Sequence, residues 1–154
     1  MMPRLTLCAL LLLAAGAGAR AVTASPAGEW DAVSVPAMKT SIYVGSVTLA
    51  TSMFQRNGDI FTADYEAKVW PWFFWSETGR ITITMPAAAL EKLARGERTE
   101  FTGEAFNHRH RPRHVTGYAE RADAATGRIK VRIGVDDTVL VFNGTYRFEH
   151  AVTP

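Results

Sequence analysis

Apolar and polar residues alternate along most of this chain. The alternation changes character most sharply within Tyr65–Met85, YEAKVWPWFFWSETGRITITM. A period of two puts Tyr65, Ala67, Val69, Phe73 and Trp75 on one face of a strand, and Glu66, Lys68, Trp70, Trp72 and Phe74 on the other. The first face is uniformly apolar and is expected to point into a core. The second starts charged and becomes wholly aromatic at Trp70. Pro71 has no backbone donor, which predicts an edge or a bulge there. Ser76–Gly79 reads as a turn, after which Ile81, Ile83 and Met85 alternate with Thr82 and Thr84 in a return strand.

Upstream, residues 41–56 form a strand pattern interrupted at Gly45, and Asn57-Gly58 is a strong hairpin signal joining it to 59–75. Downstream, Pro86–Arg95 (PAAALEKLAR) is a short helix, with Pro86 suited to its start and Gly96 to its end. Ala87, Leu90, Leu93 and Ala94 share its apolar face. Ten residues cannot hold a helix alone, so it is expected to plug a barrel end or lie across a sheet. Four more strands follow, near 98–106, 114–122, 128–135 and 138–148. In the third of these, Ile129, Val131, Ile133 and Val135 face Arg128, Lys130 and Arg132 across the strand. The pattern predicts an all-β protein, an antiparallel barrel or sandwich of about seven strands, with one helix between the third and fourth strands. A helix in that place also suits a five-stranded oligonucleotide- or oligosaccharide-binding barrel, but this chain has two strands too many.

Composition adds a compartment. Residues 1–24 have the layout of a secretory signal: Arg4, the apolar run Leu5–Ala15, then small residues, with cleavage expected before Ser25. The run is far shorter than the ~20 residues of a spanning helix, so no transmembrane segment is expected. The chain's single cysteine, Cys8, leaves with the signal. A mature chain without cysteine excludes disulfides, thiol catalysis and cysteine-based zinc sites, and suits the periplasm or secretion from a bacterium. Residues 25–37 read as a Pro/Gly/Ala-rich arm and 38–154 as a single β domain. Gly28-Glu29-Trp30 resembles the Gly-x-Trp that opens lipocalin-like barrels. Here the segment runs into Pro36 without that family's clean first strand, and the family is not assigned from it.

Loss of Arg4 and Arg20 leaves 15 basic and 15 acidic residues. That neutrality gives no footing for nucleic-acid binding. The charge is unevenly placed, with 106–154 carrying 8 basic and 5 acidic residues. Within it, Asn107–His114 (NHRHRPRH) is expected to be a solvated loop. Arg109, Arg111 and Arg113 are candidates for an anion site, since guanidinium forks match oxyanions. His108, His110 and His114 have metal-ligand chemistry, but the interleaved arginines repel a cation, and no metal or other cofactor is expected.

Catalytic motifs do not emerge: there is no G-x-S-x-G, H-E-x-x-H or phosphate loop, and no serine follows Ser76. Glu100 and Glu104 have the spacing of any solvent-facing strand. The function expected first is therefore a non-catalytic exported binding or interaction protein. It would use the Trp70–Trp75 edge, through Trp70, Trp72 and Phe74, toward a small apolar ligand or an envelope protein, with an anionic surface possible at the basic loop. The alternative is a lipocalin-like barrel carrying an internal apolar ligand. A periplasmic hydrolase stands third.

Overall fold

The computed structural model describes residues 30–149. The expected signal peptide, and residues 25–29 of the expected arm, lie outside the described residues. Ten strand segments run in chain order: β1 Ala32–Ser34, β2 Met38–Ile42, β3 Gly45–Thr51, β4 Phe54–Asn57, β5 Ile60–Trp70, β6 Glu77–Thr84, β7 Thr99–Asn107, β8 Pro112–Arg121, β9 Thr126–Val135 and β10 Thr138–Glu149. A single α-helix, α1 Ala87–Ala94, lies between β6 and β7.

All pairings are antiparallel, and from β4 onward each strand pairs with the next in sequence. β3 and β4 pair with successive halves of β5 and together make one stave broken at Ser52-Met53. β1 and β2 likewise make one stave broken at Val35–Ala37. β1 pairs with both β10 and β4, and that pairing closes the ring. The result is an eight-stranded, closed, up-and-down barrel. Closure removes every sheet edge, which settles the barrel–sandwich choice. The eighth stave begins with β1, inside the segment expected as an arm, and ends with β2 in the expected β domain. Pro36 interrupts it and hides its alternation in the sequence, and the helix accordingly follows the fourth stave rather than the third strand.

The two ends differ. At one end, Leu90 and Leu93 of α1 are buried, and Trp30 stacks on Phe148 with ring centroids 4.2 Å apart. The helix ends as its sequence predicts. Gly96 takes a positive φ of 83°, its N–H donates to the Leu93 carbonyl, and the Glu97 N–H reaches back to Lys92. That double bond is the Schellman closure. Below the helix, Phe54, Phe61, Phe101, Phe142 and Tyr146 fill the barrel. Gly117 makes the fit possible, because a Cβ there would lie 2.6 Å from the Phe101 ring. Packing leaves only a void of about 80 Å³.

Leu93 touches this void with Met85 and Phe101. Leu93→Ala is therefore expected to lower stability by about 2–5 kcal/mol, the range for emptying a buried leucine site. Urea unfolding measures it, with Glu91→Ala on the outer face of α1 changing little.

Candidate functional site

The opposite end of the barrel is hollow. Inward positions there are smaller, including Val47, Ala67, Val69 and Ala105, and they surround an open cavity of about 840 Å³. Leu49 and Ile81 touch both this cavity and the small void, so they form its floor. Four turns ring the mouth: Tyr43-Val44 between β2 and β3, the aromatic stretch between β5 and β6, the basic loop between β7 and β8, and Asp136-Asp137 between β9 and β10.

The aromatic stretch is a turn and not a continued strand. β5 stops at Trp70, the Trp70–Pro71 peptide is cis, and Phe73–Trp75 form one 3-10 turn. Ser76 closes the excursion by accepting the Val69 N–H at 3.0 Å, and β6 starts at Glu77, inside the segment expected to be the turn. The inward face therefore ends at Val69. Phe73 and Trp75, expected in the core with Tyr65 and Ala67, are 75% and 60% exposed. Of the candidates Trp70, Trp72 and Phe74, the last two line the cavity together with Trp75, whereas Trp70 points outside the barrel. The Trp72 indole N–H donates to the Val44 carbonyl at 3.2 Å, tying the two apolar turns together. Trp72, Phe74 and Trp75 pack on one another with centroids 5.4–5.9 Å apart.

The three arginines separate. Arg109 and Arg111 stand exposed on the basic loop at the mouth, with no ion-pair partner among the described residues. Arg113 is on β8, in the inward register of Val115 and Ala119, and its side chain is 8% exposed. Its guanidinium donates to both oxygens of Glu77, from Nη2 at 3.1 Å and Nε at 3.4 Å, and Nη1 reaches Asp136 at 3.5 Å. Arg113 is thus not part of a solvated anion loop, because its fork is committed to the half-buried Glu77 carboxylate. The histidines disperse as well. His108 faces the mouth, His110 sits at a positive φ of 58° in the loop, and His114 is exposed on the outer face of β8. Among the described residues no three metal-binding side chains gather. Glu100 and Glu104 stand on the outer face of β7, and Arg128, Lys130 and Arg132 on that of β9, all away from the cavity.

Glu77 is the centre of the site, and the sequence reading passed over it. Besides Arg113, its carboxylate accepts the Tyr65 hydroxyl at 2.9 Å and the Asn107 amide at 3.0 Å. Burial alone would raise the Glu77 pKa. Hydrogen bonds from Arg113, Asn107 and Tyr65, with the Arg113 charge, outweigh it and hold the carboxyl below its usual range. Burial, followed by the bond to Glu77, pushes the Tyr65 phenol well above its ordinary value. Asn107 also shapes the basic loop, because its Oδ1 accepts the backbone N–H groups of Arg109 at 3.0 Å and Arg111 at 2.9 Å. The signal was available: steps of two, back from Ile81 to Glu77, on from Ala105 to Asn107 and back from Val115 to Arg113, put all three on the inner face.

No family model, curated protein or solved structure matches this chain.

Glu77→Gln leaves the Arg113 charge only the exposed Asp136 at 3.5 Å and is expected to cost about 3 kcal/mol at neutral pH, the lower end for breaking a buried pair. A depressed carboxyl contributes stability that is complete above the ordinary glutamate pKa and is lost as pH falls through the folded value. The gap between wild type and Glu77→Gln in urea unfolding should therefore narrow in acid, at pH values below the ordinary range for glutamate. The exposed aromatics behave differently. Trp72→Ala and Trp75→Ala are each expected to cost under about 1 kcal/mol, as surface changes do.

Proposed function

We propose that the protein is a non-catalytic binding protein that holds a small apolar or amphiphilic molecule in the open end of its barrel, in an exported compartment. The observation that carries this reading is the hollow mouth. Its volume of about 840 Å³ falls in the range of about 300–1,000 Å³ usual for small-molecule sites. Its walls are aliphatic and aromatic, which recognise an apolar body by desolvation. The polar groups deep in the wall are already bonded to one another: the Glu77 carboxylate is met by Tyr65, Asn107 and Arg113. They orient the wall and leave the ligand's polar end to the mouth, where His108, Arg109 and Arg111 stand.

The sequence favoured an aromatic edge as an outward interaction surface over an internal carrier. The folded arrangement favours the carrier for Trp72, Phe74 and Trp75, because their rings border the cavity. It leaves the outward reading to Trp70 and Phe73. A hydrolytic reading gains little from the cavity, where the half-buried Glu77 carboxylate is saturated with donors that lower its pKa.

The environment-sensitive apolar fluorophore N-phenylnaphthylamine tests the cavity. It is expected to brighten on binding and to be displaced by long-chain amphiphiles. Ala67→Trp directs a large ring from β5 into empty space, so it should cut binding by tenfold or more (about 1.4 kcal/mol) with little change in melting temperature. Equal binding by wild type and Ala67→Trp would refute the cavity as the site.

A further inference from the structure

We propose that the rim of the mouth is a docking surface for an anionic lipid bilayer. Tyr43, Val44, Trp70 and Phe73 are exposed apolar side chains of two neighbouring turns, with Tyr43 fully exposed and Trp70 71% exposed, and Phe74 and Trp75 extend the exposed surface toward the cavity. The turns are held as one unit. The Trp72 indole binds the Val44 carbonyl, and Gly45 packs so close to Trp70 that a Cβ on it would lie 2.0 Å from the Trp70 carbonyl oxygen. Apolar side chains this exposed and this clustered mark an interaction surface.

Three observations select a bilayer as the occupant. The patch is a convex tip of single turns, rich in the tryptophan, tyrosine and phenylalanine that settle at a membrane interface. The next turn around the rim carries Arg109 and Arg111, whose guanidinium groups have no carboxylate partner among the described residues. Unpaired cations beside an apolar tip match anionic headgroups above an acyl layer. The acidic turn, Asp136-Asp137, lies across the mouth from Trp70 and Phe73 in the strand order; it adjoins the Tyr43-Val44 turn, and its Asp136 is already paired with Arg113. Trp30 and Glu149, the first and last described residues, both sit at the helix-capped end. Docked this way, the mouth would face the lipid and the cavity would have an entrance that avoids water. The surface itself does not require an occupied cavity.

The test is co-sedimentation of the exported chain with vesicles of phosphatidylcholine and phosphatidylglycerol in equal parts, against phosphatidylcholine alone. Wild type is expected to bind the anionic vesicles, with a blue shift of tryptophan emission, and to be released by salt. Trp70→Ala with Phe73→Ala should lower the partition by roughly tenfold or more, since binding scales with inserted apolar area. Neither side chain borders the cavity, so N-phenylnaphthylamine binding should be unchanged in that variant. Arg109→Glu with Arg111→Glu should lower anionic-vesicle binding by roughly tenfold or more and reduce the preference over neutral vesicles. Vesicle binding with no fluorophore binding would refute the cavity and keep the rim. Three outcomes would overturn the rim proposal: no binding by wild type, binding that persists without Trp70 and Phe73 and so belongs to another segment, or a dimer in sedimentation equilibrium that those two side chains hold and vesicles do not dissolve.

Discussion

The pair between the half-buried Glu77 and the buried Arg113 is the constraint around which the open end of this barrel is arranged. Removing two charges from water costs several kcal/mol for each ion, and the loss is offset only by good geometry and fully bonded lone pairs. Both conditions are met. Arg113 faces the carboxylate with two nitrogens, and Tyr65 and Asn107 supply the remaining donors. The four residues come from β5, β6, β7 and β8, and Asp136 brings in the turn after β9. One polar cluster thus spans half the circumference and holds these staves at a fixed spacing. Apolar side chains would have met across the barrel and filled it. A hydrogen-bonded belt cannot give up its partners to do so, and it leaves the space between belt and mouth open.

Side-chain size divides the two ends. The helix-capped end stacks phenylalanines against glycine gaps to near-solid packing, and the mouth has alanine and valine on the inward register of β3, β5 and β7. The closed end supplies the hydrophobic stabilisation and so allows the mouth to remain underpacked. At the closed end two side-chain polar groups lack a partner among the described residues, the hydroxyls of Thr51 and Tyr146, and burial pushes the pKa of Tyr146 up to about 12. Both stay neutral, so the cost of each is that of one unmade hydrogen bond and not of a charge.

The four turns at the mouth divide their chemistry by position: aliphatic and tyrosyl, aromatic, basic, acidic. Asn107 links the inner belt to the basic turn, since one amide binds Glu77 with its nitrogen and two loop N–H groups with its oxygen. A single buried asparagine therefore holds Arg109 and Arg111 in place at the rim while Arg113, two residues further on, is turned inside. A ligand cavity and a membrane-facing rim are compatible because the rings that border the first, Trp72 and Phe74, differ from those that project into the second, Trp70 and Phe73.

Much of the fold was legible in the sequence, because a period of two is a local property. It predicted the inward faces of β5 and β9, the helix with its glycine stop, and the all-β class. The alternation of Ile129, Val131 and Ile133 against Arg128, Lys130 and Arg132 already states which side of β9 is inside. What the sequence could not decide were matters settled between distant segments. The first stave is too short and too broken at Pro36 to declare itself, and only pairing with β10 and β4 makes it a strand and the sheet a barrel. The aromatic run continued the local alternation on paper, yet the chain leaves the sheet at Pro71, so Trp75 faces the mouth and not the core. Arg113 looked like its neighbours Arg109 and Arg111 in a run of charge. A carboxylate 36 residues away in sequence separates it from them, because burying a charge is tolerable only where the fold brings its counter-charge.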